Sequence, residues 1–140
     1  MSRILEIQRK SNEWMRQFAD NVIRVIESNS EKMIDMNRSN MLESLNANDN
    51  SLMPSPLSPA YAKKTGKRKP NLFLTGEFQG EMFMTMPTEK DYIITSADPK
   101  VNFLVERYGK IFGVSPKNQP KAQEINDGAI IDDYLKEVFQ

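Results

Sequence analysis

The chain has 140 residues, with 19 Lys plus Arg, 19 Asp plus Glu, no His and no Cys. This composition excludes disulfides, thiol nucleophiles, Cys/His zinc sites and Ser-His-Asp triads, and a net charge of zero is not typical of a nucleic-acid-binding domain. The length predicts one domain. We expect neither a secretory signal nor a membrane span, because the first residues lack an apolar core and no apolar run could cross a bilayer.

Residues 1–45 predict a long N-terminal helix. Apolar side chains recur three and four residues apart over residues 3–45, and neither Pro nor Gly occurs before Pro54. As one helix the segment would be about 60 Å long, which exceeds the diameter of a domain of this size. Two interpretations stay open: a helix bent or broken once on its own sheet, or a helix that overhangs onto neighbouring subunits. Three polar residues interrupt the apolar stripe: Ser11, Asn29 and Asn40.

Residues 46–70 predict an extended, Pro-rich arm. A polar run over 46–51 is followed by Pro54, Pro56 and Pro59, which oppose both a helix and a central strand. Apolar residues are interspersed, and we expect them to dock on a neighbouring subunit. These residues are Leu52, Met53, Leu57 and Tyr61.

The end of this arm is strongly basic. Its cations, with no acid between them, are Lys63, Lys64, Lys67, Arg68 and Lys69. Clustered cations bind phosphate backbones by releasing counterions. The segment has no interleaved aromatic platform and the chain is neutral, so we favour a solvated loop or contact with an acidic protein surface over non-specific contact with DNA.

Residues 71–140 predict a small sheet followed by C-terminal helices. The runs 81–86 and 91–96 are typical of strands joined by a hairpin-length loop, with 110–114 as a candidate edge strand. Asp98-Pro99 predicts the start of a helix and Gly109 its end. Ser115-Pro116 repeats the starting pattern. The expected fold class is therefore α+β, with helices packed on a small antiparallel sheet.

The C-terminal segment carries two apolar faces. Ala122, Ile125 and Ala129 share one face, and a second face is rotated from it by about half a turn. The second face consists of Ile131, Tyr134, Leu135 and Val138. A kink or break at 126–128 is predicted, because Asn, Asp and Gly stand between the two faces. The alternative is one helix buried on two sides by subunit contacts.

Motifs in the middle and C-terminal parts of the chain resemble those of tailed-bacteriophage proteins. The stretches Pro56–Lys64 and Lys69–Phe78 are similar to the "LSPAYAKRK" and "K-P-x-L-x-x-T-G-x-L" segments of the virion-morphogenesis, tail-completion and minor tail families, and Ile111–Pro116 looks like their entry to a last helix. The resemblance covers about residues 52–140. It departs at 103–109, where many relatives have an "H-x-x-G" approach and this chain reads as helical.

The resemblance implies a structural virion protein, assembled in the host cytoplasm, that acts at the neck or tail end as a head–tail connector, tail-completion protein or tail terminator. It implies a homo-oligomeric ring that contacts portal, adaptor or tail-tube proteins. The alternative is a non-catalytic cellular oligomerisation module built on the long helix. An enzyme would need a pocket of perturbed carboxylates, with Asp132, Asp133 and Glu137 as candidates. We expect a solvated helix face there, and no catalytic, cofactor or metal site.

Overall fold

The computed structural model describes residues 2–52 and 76–140. In these ranges the protein is α+β, with N- and C-terminal helices packed on a two-stranded antiparallel sheet, and the predicted fold class is confirmed. The elements are α1 (Arg3–Arg16), α2 (Phe18–Ser28), α3 (Ser30–Leu42), α4 (Glu77–Gly80), β1 (Met82–Thr88), β2 (Asp91–Ser96), α5 (Val101–Tyr108) and α6 (Gln119–Phe139). Most of the predicted Pro-rich arm, 53–70, lies outside the described residues.

The N-terminal segment is helical as predicted, but it is interrupted at Gln17 and again at Asn29, so the expectation of at most one break was wrong. At the second interruption the Asn29 N–H donates to the Ile26 carbonyl, three residues earlier in the chain, whereas in a regular α-helix it would donate to the carbonyl four residues earlier. The Ser28 hydroxyl donates to the Val25 carbonyl at 2.6 Å. A serine bond of this kind competes with the helical ladder and bends a helix.

The two strands form the predicted hairpin. Met84 pairs with Ile94 on the side of the hairpin that faces the core. Because side chains alternate along a strand, the neighbouring residues Phe83 and Ile93 face outward. The register shifts between Thr85 and Thr88, around Pro87. Proline has no N–H to donate, so it is tolerated in a strand at such an irregularity.

The main core lies between α3, the hairpin, the segment 111–114 and the first turns of α6. Its buried apolar side chains are Met33, Ile34, Met41, Leu52, Phe78, Met82, Ile94, Ile111, Val114 and Ala122. The methionine-rich hairpin therefore contributes to the core, as expected for flexible apolar side chains that fill irregular space.

The segment 110–114 does not join the sheet, which is two-stranded within the described residues. Its backbone carbonyls accept hydrogen bonds from α3 and from the loop that follows α3. The Lys110 carbonyl accepts from the Ala47 N–H at 2.9 Å, and the Asn37 side chain donates to the Ile111 carbonyl at 2.8 Å. Since these partners lie on α3 and the following loop, the predicted edge strand was wrong.

Residues 46–52, the start of the predicted arm, form a closed loop. The Asn46 side-chain oxygen accepts from the N–H groups of Asn48 and Asn50 at 2.8 and 3.0 Å. The Leu52 N–H then returns to the Ser44 carbonyl at 2.8 Å. This part of the chain is therefore bound to its own domain and is not extended.

The helix after the sheet ends as predicted, but it begins two residues later than expected, at Val101, and its N-cap residue Lys100 makes no side-chain cap bond. The Asp98 carboxylate accepts from the Lys100 N–H at 2.8 Å just before α5, and Gly109 ends the helix with φ of 77°. The predicted break in the C-terminal segment was wrong, because α6 runs without interruption through Gly128. Packing on either side of that glycine holds the helix together, through Ala122 and Val138, which are both buried.

Candidate interaction surfaces

The interaction residues predicted from the sequence are mostly not described. Leu52 is the exception, and it is buried in the main core with 4% of its surface exposed. It serves the fold of its own chain and is not available to a neighbouring subunit. The remaining residues lie outside the described ranges: Met53, Leu57, Tyr61, Lys63, Lys64, Lys67, Arg68 and Lys69.

The described residues instead bring two helical segments together in a seam. We use this name for the antiparallel packing of α1 and α2 against α6. Arg3 donates to the Phe139 carbonyl at 2.8 Å at one end. Further along the first segment, Arg24 of α2 donates to the Asp133 carboxylate at 2.8 Å. The opposite order of these contacts in the two segments establishes the antiparallel direction.

A carboxylate at the middle of the seam holds it together. Asp133 accepts two hydrogen bonds from the Arg24 guanidinium, at 3.0 and 2.8 Å, and one from the Trp14 indole N–H at 3.0 Å. The Asn21 side chain adds a bond to the Trp14 carbonyl at 3.0 Å. A bidentate pair fixes orientation as well as distance, so Asp133 sets the relative position of the helices.

The electrostatics of this pair follow from its contacts. The hydrogen bond from Arg24 holds the pKa of Asp133 below its usual range, against the opposing effect of burial, and the Trp14 N–H adds to the lowering. The same bond raises the pKa of Arg24. A carboxylate kept ionised in this way is a weak proton acceptor, so its geometry suits an ion pair better than general-base work.

The other acids named as enzyme candidates do not converge with Asp133. Asp132 and Glu137 are exposed on α6. Open grooves of about 500 and 600 Å³ flank the seam.

Among the described residues no group of three or more acidic side chains is arranged to hold a metal ion. No described helix has the length and apolar character of a bilayer-crossing segment.

An aromatic cluster extends from the seam to its surface. The Trp14 ring makes edge contacts with Phe18 at 5.7 Å and Tyr134 at 5.2 Å between centroids. The Tyr134 hydroxyl lies 2.7 Å from the Ser11 hydroxyl. Edge contacts of this kind add to the stability that burial gives, and they fix one side of α1 beside one side of α6.

Exposed apolar side chains lie on α1, at the start of α2 and on α6, and we call them together the seam face. Its large side chains are between 43% and 77% exposed. They are Ile4, Met15, Phe18, Ile131, Leu135 and Phe139. The sequence placed Ile131 and Leu135 on a second apolar face of α6 together with Tyr134 and Val138. The chain itself covers the last two, since Tyr134 packs on Trp14 and Val138 is fully buried.

A second exposed apolar surface lies on the hairpin and is called the hairpin face. Phe83 and Ile93 point away from the core and are 42% and 54% exposed. Phe103 on α5 is 63% exposed. Sequence reasoning missed these residues, because methionine and isoleucine on both sides of the strands hid which side faces the core.

A comparison of the chain with protein-family models, with curated proteins and with solved structures found no match.

Proposed function

We propose that the chain is a structural virion protein of a tailed bacteriophage or prophage, a ring subunit at the neck or tail end. Its partners would be portal, adaptor or tail-tube proteins, and its place would be in the virion. Two arguments support this proposal. One is the resemblance of the two motif stretches to tail-completion and minor tail proteins. The other is the presence of apolar surface on separate parts of the molecule.

The second argument carries the proposal on the structural side. A cyclic ring joins one surface of a subunit to a different surface of the next, and it closes by rotation. The hairpin face, with Phe83 and Ile93, is a candidate for one of them, and the exposed Phe103 of α5 marks the candidate position of the other. Contiguous exposed apolar area is characteristic of surfaces that bind other proteins.

Mixing two variants tests the ring contact. Ile93→Asp should block ring formation by damaging the hairpin face, and Phe103→Asp should block it from the other side. Each variant keeps one intact surface, so a mixture should form larger assemblies than either variant alone but no rings, as measured by native mass spectrometry. Lys90→Asp at the tip of the hairpin is the matched control and should leave assembly unchanged. A mixture that forms complete rings would rule out this contact.

Location in the particle is tested separately. An antibody against the chain, applied to particles released by the source strain after prophage induction, should label the head–tail junction or the tail end in electron micrographs. Unlabelled particles, with the protein confined to the cell extract, would favour the alternative of a cellular oligomerisation module.

A further inference from the structure

The outer side of α6 has a feature that the fold of the chain does not require. Gly128 lies inside the helix, where glycine is less favourable than alanine. A Cβ atom placed there would meet nothing within 4 Å. The same side of the helix carries Ile131, Leu135 and Phe139, which are 58%, 47% and 47% exposed. A small residue beside a row of large apolar ones is suited to close approach by another helix.

We propose that the seam face binds the same face of a second copy of this chain, with the two α6 helices antiparallel about a two-fold axis. The sequence of the face is complementary to itself. When Ile131 of one copy lies opposite Leu135 of the other, Phe139 of each copy lies over Gly128 of its partner. Along the sequence, residue 133 is midway between Ile131 and Leu135, and the point midway between Gly128 and Phe139 falls between residues 133 and 134. A single two-fold axis passing near these residues therefore relates both pairs.

The charges beside the row obey the same symmetry. Asp132 and Lys136 are four residues apart and therefore lie on one flank of the helix. In the antiparallel pair that flank meets the same flank of the partner, and the midpoint of Asp132 and Lys136 is residue 134. Each acid then faces a base of the other copy. Within the described residues neither side chain takes part in an ion pair, although the charge of Lys136 helps to lower the pKa of Asp133.

The surface has the size that a dimer needs. A stable interface buries about 800 Å² on each partner. The six large apolar side chains of the seam face, together with the stems of the flanking charged residues, supply an area of that order. Each copy contributes α1 and α6, so the pair forms a four-helix arrangement.

This contact is independent of the ring contact. It uses the seam face and closes after two copies, whereas the ring contact uses the hairpin face and α5. Failure of one therefore leaves the other in place. If both exist, they assemble two rings back to back with dihedral symmetry.

Charge reversal tests the symmetry directly, by sedimentation velocity of the full chain. With the ring contact blocked by Ile93→Asp, the chain should sediment as a dimer at a concentration on the order of 100 μM, and the charge variants are compared in this background. Asp132→Lys places bases opposite bases, and Lys136→Asp places acids opposite acids, so each variant should self-associate at least about tenfold more weakly. An equimolar mixture should pair again, because an all-basic flank meets an all-acidic one. The double variant should also recover self-association.

Controls separate this contact from a general effect of charge. Glu106→Lys on α5 makes the same change in net charge as Asp132→Lys and should associate as the Ile93→Asp chain does. Leu135→Glu should remain monomeric, with an unchanged circular dichroism spectrum. An Ile93→Asp chain that stays monomeric, single reversals that pair normally, or a mixture that fails to pair would each overturn the proposal.

Discussion

At the scale of single residues, polar side chains do much of the positioning. Asn37 is 1% exposed, donates to the Ile111 carbonyl, and accepts from the Gly113 N–H at 2.9 Å. Asn40 binds both the Asn46 carbonyl and the Asp49 carboxylate, at 3.2 and 3.0 Å. Both asparagines lie on α3, and they anchor the loops that close the main core.

Replacement of Asn37 tests this anchoring. Asn37→Ala leaves the buried Ile111 carbonyl and the partly buried Gly113 N–H without their partner, which should lower the free energy of unfolding by about 1–3 kcal/mol. Urea denaturation measures the loss. Asn48→Ala in the exposed loop removes an amide of the same type and should stay within about 0.5 kcal/mol of wild type. Equal stability of the two variants would contradict the anchoring role.

Asp133 predicts a dependence of stability on pH. Its pKa in the folded protein is depressed by Arg24, so its contribution is present above its unfolded pKa of about 3.9 and is lost as the pH falls through the lower folded value. Asp133→Asn should cost about 1–2 kcal/mol at pH 7, because Arg24 is half exposed and its ion pair is screened. The difference from wild type should shrink below about pH 4.

Urea denaturation across the pH range measures this effect, at protein concentrations that keep the chain monomeric. Asp127→Asn provides a control on the same helix, at an exposed position. If the wild type and Asp133→Asn differ by the same amount at pH 7 and at pH 2.5, the ion pair does not stabilise the seam.

At the scale of elements, two glycines should respond to alanine in opposite directions. Gly109 has φ of 77°, where a side chain strains the backbone, and Gly128 lies in a helix with open space around it. Gly109→Ala should therefore cost about 1–3 kcal/mol, whereas Gly128→Ala should add up to about 1 kcal/mol to the stability of the monomer. Thermal unfolding in dilute solution compares them. Changes of the same sign would refute this assignment.

The elements predictable from the sequence are those with local signals. The hairpin follows from two short apolar runs, and the end of α5 follows from Gly109, whereas Asp98 indicates the start of α5 only to within two residues. The breaks at Gln17 and Asn29 have no such signal. The continuity of α6 through Gly128 depends on packing against α1 and α2, which a local pattern cannot reveal.

The polar residues on the predicted apolar stripe show the same limit. Ser11 meets the Tyr134 hydroxyl, and Asn40 meets the loop at 46–49. Both partners are distant in sequence or lie in irregular structure. The sequence showed that the stripe was imperfect, but not which partners satisfy these groups. The seam face was indicated only as a second face of α6, because burial by a partner and burial by the chain leave the same pattern.

At the scale of the whole molecule, packing is uneven. The main core centres on α3, where Met33, Ile34 and Met41 are at most 1% exposed. Trp14 is the buried side chain of α1, and the first turns of that helix expose Ile4 and Leu5. Regions with few buried apolar contacts open more readily than core elements.

Hydrogen exchange should reveal this gradient in the monomer. Amides of residues 3–13 should exchange at least about tenfold faster than those of 33–41, because they can open locally without unfolding the core. Mass spectrometry of peptides from the exchanged protein measures both regions in one experiment. Equal protection would mean that α1 unfolds only with the whole domain.

The position of Trp14 has a practical consequence. It is the only tryptophan of the chain, and its indole N–H is bonded to Asp133 within the aromatic cluster. The emission of an indole responds to the polarity and order of its surroundings. Fluorescence excited at the long-wavelength edge of the absorption band, where only tryptophan absorbs, therefore reports on the contact between α1 and α6. Separation of these two helices can be followed without a label, and the hairpin, which has no tryptophan, does not contribute to the signal.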